Sequence, residues 1–88
     1  YNVQLSPHAI RQYKKLDHAI KHSIQVAIDT LAHTPATGPK IKRLKGKLHR
    51  YYRYRVGNYR IVYTVSESEH TVYVDYVQHR KDTYREID

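Results

Sequence analysis

Cysteine, methionine, tryptophan and phenylalanine are all absent from these 88 residues, and glycine and proline contribute three each. Without cysteine there is no disulfide, zinc–thiolate site, iron–sulfur cluster or thiol nucleophile, and nothing points to an oxidising compartment. Three glycines, Gly38, Gly46 and Gly57, supply neither a phosphate-cradling loop nor a dinucleotide fingerprint. A paired-carboxylate site and a serine nucleophile elbow are missing too. No apolar run approaches the roughly 20 residues of a membrane-spanning helix. The opening Tyr1-Asn2-Val3 lacks the basic and apolar regions of a signal peptide, so a cytoplasmic protein with no membrane partner is expected. The missing methionine puts the initiator outside this numbering. A chain of 10.5 kDa has little room for an internal cofactor chamber. The expectation is one domain over residues 1–88, with its site on an open face and no cofactor or metal. Among seven histidines only His18 and His22 have a metal-compatible i, i+4 spacing, and with no third ligand nearby they read as a helix-surface pair.

Acids are also missing locally. Between Asp29 and Glu67 there is no carboxylate, whereas nine of the 16 basic residues fall between positions 40 and 60: Lys40, Lys42, Arg43, Lys45, Lys47, Arg50, Arg53, Arg55 and Arg60. The formal net charge is +8. Such a concentrated field attracts a polyanion; the alternative is a solvated basic face kept for solubility.

Tyr1, Val3 and Leu5 alternate with polar residues and predict a short strand. Ser6-Pro7 is an N-cap followed by proline at the first helical position, after which Ile10, Tyr13 and Leu16 recur at helical spacing. Asp17 is a second cap, and Ile20, Ile24, Ala27, Ile28 and Leu31 form an apolar stripe. A helical hairpin over about residues 8–33 follows, ended by Pro35 and Pro39. Beyond them the period changes to two. Residues 50–56, 59–65 and 71–78 read as three antiparallel strands, with a further strand near residues 41–44 and a tail, residues 80–88, that is either a short helix or ordered coil. The fold class is therefore α+β: an antiparallel sheet of three to four strands with an N-terminal strand and a helical hairpin packed on one face, in the order β-α-α-β-β-β.

A two-residue hairpin turn at Gly57-Asn58 pairs Val56 with Tyr59, Arg55 with Arg60, Tyr54 with Ile61, Arg53 with Val62 and Tyr52 with Tyr63. Tyr52, Tyr54, Val56, Tyr59, Ile61 and Tyr63 then share the core face, and Arg53, Arg55 and Arg60 share the other, exposed one. Opposed arginines repel, and folding alone does not call for them. An anion held between them would explain the arrangement. The structural alternative is a cross-strand salt bridge: a four-residue turn over residues 66–69 sets Asp75 opposite Arg60. A second cluster, Gln78-His79-Arg80-Lys81-Asp82-Thr83-Tyr84-Arg85, leaves the last strand close to that face. There His79 is either a proton-transfer group or an ordinary strand-end residue, and Tyr84 either stacks on a base or packs the tail.

Three runs carry a likeness: Arg43-Leu44-Lys45-Gly46; Tyr52-Arg53-Tyr54-Arg55-Val56-Gly57-Asn58-Tyr59-Arg60-Ile61-Val62-Tyr63; and His79-Arg80-Lys81-Asp82-Thr83-Tyr84-Arg85. In this order they resemble the RelE branch of the RelE/ParE toxin superfamily over nearly the whole chain. The resemblance implies the toxin of a type II toxin–antitoxin module: a ribosome-dependent mRNA endonuclease that cuts in the ribosomal A site. It implies attack of a ribose 2′-hydroxyl on the adjacent phosphate, without metal or cofactor. Carried over, Arg60 and Arg80 hold the scissile phosphate, Tyr84 stacks on the nucleotide, and Arg53 and Arg55 stand where the best-known members have lysines. Arginine is effectively never deprotonated, so these two act by charge, leaving His79, Tyr84 or a ribosomal group to move the proton. Lys40, Lys42, Arg43, Lys45, Lys47 and Arg50 are placed to contact ribosomal RNA. The implied partners are mRNA, ribosomal RNA and an antitoxin with an acidic or amphipathic wrapping segment. Two rivals stand beside this reading: a ParE-like poison of DNA gyrase without nuclease activity, and a catalytically inactive RNA-binding relic.

Overall fold

The structure is a computed structural model that describes residues 1–82. Its elements run β1 (Asn2–Leu5), α1 (Pro7–Lys14), α2 (His18–His33), β2 (Ile41–Arg43), β3 (Tyr52–Val56), β4 (Tyr59–Ser66) and β5 (Thr71–His79), with 3-10 turns at Gly46–Leu48 and Arg80–Asp82. Both helix starts are capped by the residues that the sequence nominates. The Ser6 hydroxyl accepts the Ala9 N–H at 3.0 Å, and Asp17 accepts the Ile20 N–H at 3.0 Å, each satisfying a donor that the first helical turn leaves open. No helix among the described residues is long and apolar enough to cross a membrane.

The strands form one sheet in the order β1-β5-β4-β3-β2. The meander β2 to β5 is antiparallel, as expected. β1 joins the far edge of the sheet by pairing parallel with β5, Asn2 to Thr71 through Leu5 to Val74, so the sheet is mixed and has five strands. Because β1 ends at Leu5, the second half of β5 has no strand on its β1 side; α1 takes that place, and the Gln12 side-chain oxygen accepts the Val77 N–H at 2.8 Å.

The two helices lie on one face of the sheet. Ala9, Ile24, Ala27 and Leu31 pack against Ile61, Tyr63, Val72, Val74 and Val77, all buried. The Tyr63 hydroxyl donates to the Pro35 carbonyl at 2.6 Å, fastening the turn after α2 to the sheet, and the Tyr52 ring stacks on it at 5.5 Å between centroids. Tyr52, Tyr54, Val56 and Tyr59 border the same cluster, so the predicted core face is the observed one.

Register is as predicted in one hairpin and different in the other. β3 and β4 pair Arg55 with Arg60 and Tyr54 with Ile61, as the two-residue turn demands. Gly57 has a φ of +57°, as in a type II′ turn with glycine at its first central position. Between β4 and β5 the turn falls at residues 67–70, Ser66 opposes Thr71, and a bulge between Val62 and Tyr63 shifts the register again. Arg60 therefore opposes Gln78, and the expected cross-strand pairing with Asp75 does not occur.

Candidate functional site

The site is built by alternation. With Tyr52 and Tyr54 turned toward the helices, Tyr51, Arg53 and Arg55 project from the other face of the sheet. Pairing across strands extends this into rows. Lys42 opposes Arg53, which opposes Val62, which opposes Tyr76; one step along, Arg55 opposes Arg60, which opposes Gln78. The Lys40 carbonyl accepts the Arg55 N–H at 3.0 Å, placing Lys40 at the end of that second row. Strands are about 4.8 Å apart and residues two apart along a strand about 7 Å, so five cations occupy a patch one or two phosphates wide. Pro39, Lys40, Ile41, Lys42, Arg53 and Arg55 line an open concavity of about 370 Å³ there.

Exposure within the patch is uneven. Lys40, Lys42 and Arg55 are exposed and Arg53 is half-buried. Arg60 is 1% exposed, which corrects the expectation that it lies on the surface. Alternation states which face a side chain takes, not how deeply that face is covered. Val62, beside Arg60 on the same face, is also buried, at 2%.

The exit of β5 divides its candidates. The Arg80 N–H donates to the Asn58 carbonyl at 2.6 Å, which brings Arg80, exposed, to the same end of the sheet as the Arg55–Arg60 pair. His79 opposes Tyr59 and meets its ring edge-on at 4.9 Å, so it lies on the helix side of the sheet, away from the arginines. Its Nδ1 accepts the Lys81 N–H at 3.2 Å. Tyr84 lies outside the described residues.

The remaining cations surround the patch. Lys45, Lys47 and Arg50 are exposed in the β2–β3 connection. Arg43 is turned away from Lys42: it opposes Tyr52, sets its guanidinium 5.7 Å from that ring and donates from Nε to the His49 carbonyl at 2.9 Å. It shapes the loop as well as charging it. Tyr51, on the arginine face, escaped the sequence reading although it shares the parity of Arg53. Asp75 was expected opposite Arg60; the turn and the bulge place it elsewhere along the same face, beside Tyr51. The Asp75 carboxylate lies beside the Tyr51 hydroxyl and holds its pKa above the usual tyrosine range, with burial adding to the effect.

The family model described as the ParE toxin of the type II toxin–antitoxin system parDE matches residues 3–84. The chain belongs to this toxin family. It is a type II toxin of the RelE/ParE superfamily, and solved structures place the same fold in several relatives. The RelB–RelE antitoxin–toxin complex from Methanococcus jannaschii shares 32% identity over 88% of this chain and 89% of that one, with a TM-score of 0.70. The toxin–antitoxin complex RelBE2 from Mycobacterium tuberculosis shares 28% identity over 91% and 98%, with a TM-score of 0.80. The RelE–RelB complex from Pyrococcus horikoshii superposes with a TM-score of 0.79 over 94% and 98% at 22% identity, a likeness of fold. No curated protein matches the chain in sequence.

Proposed function

We propose that this toxin is a ribosome-dependent mRNA endonuclease, cutting message in the ribosomal A site by attack of a ribose 2′-hydroxyl on the neighbouring phosphate. The observation that carries the reading is the convergence of Arg53, Arg55, Arg60 and Lys42 on one sheet face, with Arg80 held at its end by the Asn58 carbonyl. A fixed set of guanidiniums suits the extra negative charge of a pentavalent phosphorane, since preorganised charge stabilises a transition state without reorganising during the reaction. Arginine supplies charge and bidentate hydrogen bonds but accepts no proton. An open cationic face is also the shape expected for a substrate presented by a large RNA machine, with Lys40, Lys45, Lys47 and Arg50 meeting ribosomal phosphates.

The neighbours from Methanococcus jannaschii and Mycobacterium tuberculosis are complexes with antitoxins. The partner inferred for this chain is likewise an antitoxin with an acidic or amphipathic segment, which the field of +8 would attract in the cytoplasm. A second reading draws on the family model itself, whose description is ParE: a gyrase poison that acts by binding, for which the arginine face is a contact surface.

Primer extension on a message in a reconstituted translation reaction, with and without ribosomes, separates the two. Arg60 is a poor probe because its burial couples the site to the fold. Arg55→Ala with Arg80→Ala removes two exposed cations instead. Cleavage that needs ribosomes and drops by two orders of magnitude or more in the double variant is expected, on the scale of lost oxyanion stabilisation. Intact message from a toxin that still arrests growth would move the gyrase reading to first place.

A further inference from the structure

The arginines accept no proton, and deprotonating the 2′-hydroxyl requires a group that does. We propose that Asp75 is that acceptor, taking the 2′-hydroxyl proton while Tyr51 orients its carboxylate. The assignment rests on the nuclease reading above and deepens it.

The geometry comes from the bulge. Val74 opposes Tyr63 and faces the core, while Tyr76 opposes Val62 and faces the arginine side. Asp75 is the extra residue between them, turned to the side of Tyr76. Its backbone is held there by the Ser6 hydroxyl, which donates to the Asp75 carbonyl at 2.9 Å and leaves the carboxylate to the site. Tyr51 is two residues from Arg53 on the same face of the chain and reaches over β4 to the Asp75 side chain. Asp75 and Arg53 therefore stand on strands two apart, roughly 10 Å of backbone, a span that an arginine and a ribose-phosphate bridge. Asp75 is also the single acid in any of the five strands. Asp17 and Asp29 belong to the helical layer, Glu67 and Glu69 to the turn at the far end of the sheet, and His79 to the opposite face.

In the step, the 2′-hydroxyl proton passes to the Asp75 carboxylate, O2′ bonds to the adjacent phosphorus and the bond from phosphorus to O5′ breaks. O5′ takes a proton from water, and Asp75 then releases its proton to the hydroxide left behind. The products are a 2′,3′-cyclic phosphate and a 5′-hydroxyl. The Tyr51 hydroxyl, on which Tyr76 and Arg50 also act, is hydrogen-bonded to the carboxylate, and His8 of α1 meets the Tyr76 ring edge-on at 5.4 Å.

Single-turnover cleavage of ribosome-bound message at one neutral pH tests the assignment with wild type, Asp75→Asn, Asp75→Glu and Tyr51→Phe. The expected result for Asp75→Asn is a loss of about 100-fold or more, with ribosome binding kept. Asp75→Glu regains part of the rate, and Tyr51→Phe cleaves more slowly with ribosome binding kept. Cleavage by Asp75→Asn at the wild-type rate overturns the inference, and so does a slow rate that Asp75→Glu does not raise. Intact message with wild type removes the nuclease reading and the inference together; equal cleavage by both proteins removes the inference alone.

Discussion

Tyrosine is the only aromatic residue type in the chain, and each ring therefore brings a hydroxyl that needs an outlet when it is buried. Tyr63 meets that need within the core, donating to the Pro35 carbonyl, and burial pushes its pKa well above the usual tyrosine value. The consequence for stability has a definite sign. In the unfolded chain the phenol ionises near pH 10; in the folded chain it stays protonated well beyond that. Above pH 10 the folded state binds more protons than the unfolded one, so stability present in full below pH 10 is lost as pH rises. Tyr63→Phe removes this dependence together with the hydrogen bond to Pro35, at a cost of about 1–2 kcal/mol. Urea midpoints are expected to lie lower for the variant at pH 8 and to converge with wild type toward pH 11. Parallel curves over that range would show that Tyr63 does not control the alkaline transition. The residue scale also marks a limit of reading. Parity assigned Arg53, Arg55 and Arg60 to one face, and the register agrees, but depth of burial depends on what lies over the face, and Arg60 proves buried where a surface residue was expected.

Elements declare themselves in sequence where a local rule fixes them. Ser6-Pro7 and Asp17 start the helices, Pro35 and Pro39 stop them, and Gly57-Asn58 sets the β3–β4 register to the residue. Long-range choices leave weaker marks. The alternation of β1 predicts a strand but not its parallel pairing with β5, which follows it in the chain only after two helices and three strands. The β4–β5 register was missed because a turn of uncertain length and a bulge each moved it. Both features meet at Ser6, whose hydroxyl accepts the Ala9 N–H and donates to the Asp75 carbonyl. Ser6→Ala is expected to cost about 1–2 kcal/mol, since it removes a cap and leaves that carbonyl without its donor. Ser6→Gly separates the two effects. Glycine caps nearly as well as serine, within a few tenths of a kcal/mol, so a loss in urea denaturation close to that of alanine would assign the effect to the bulge. A loss of only a few tenths would assign it to the helix.

At the scale of the whole molecule the question is whether the charge of +8 acts as a diffuse cloud or through the patch. Both draw RNA, and both weaken as salt rises, but they differ in where the dependence resides. The β2–β3 connection carries Lys45 and Lys47, exposed and outside the rows formed by Lys42, Arg53, Arg55 and Arg60. If a phosphate is held between Arg53 and Arg55, replacing both with glutamine lowers the slope of log affinity against log salt for a single-stranded RNA by about 0.7, the value for one neutralised phosphate. Lys45→Gln with Lys47→Gln carries the same change in net charge at another place. Fluorescence anisotropy of a short labelled RNA, titrated at several potassium chloride concentrations, measures both. A reduced slope confined to the arginine pair ties the polyanion to the face that also presents Asp75. Equal reductions in the two variants would mean that the field is shared over the surface. The arginine rows would then be one part of a solvated basic face, without a defined phosphate position for a reaction to use.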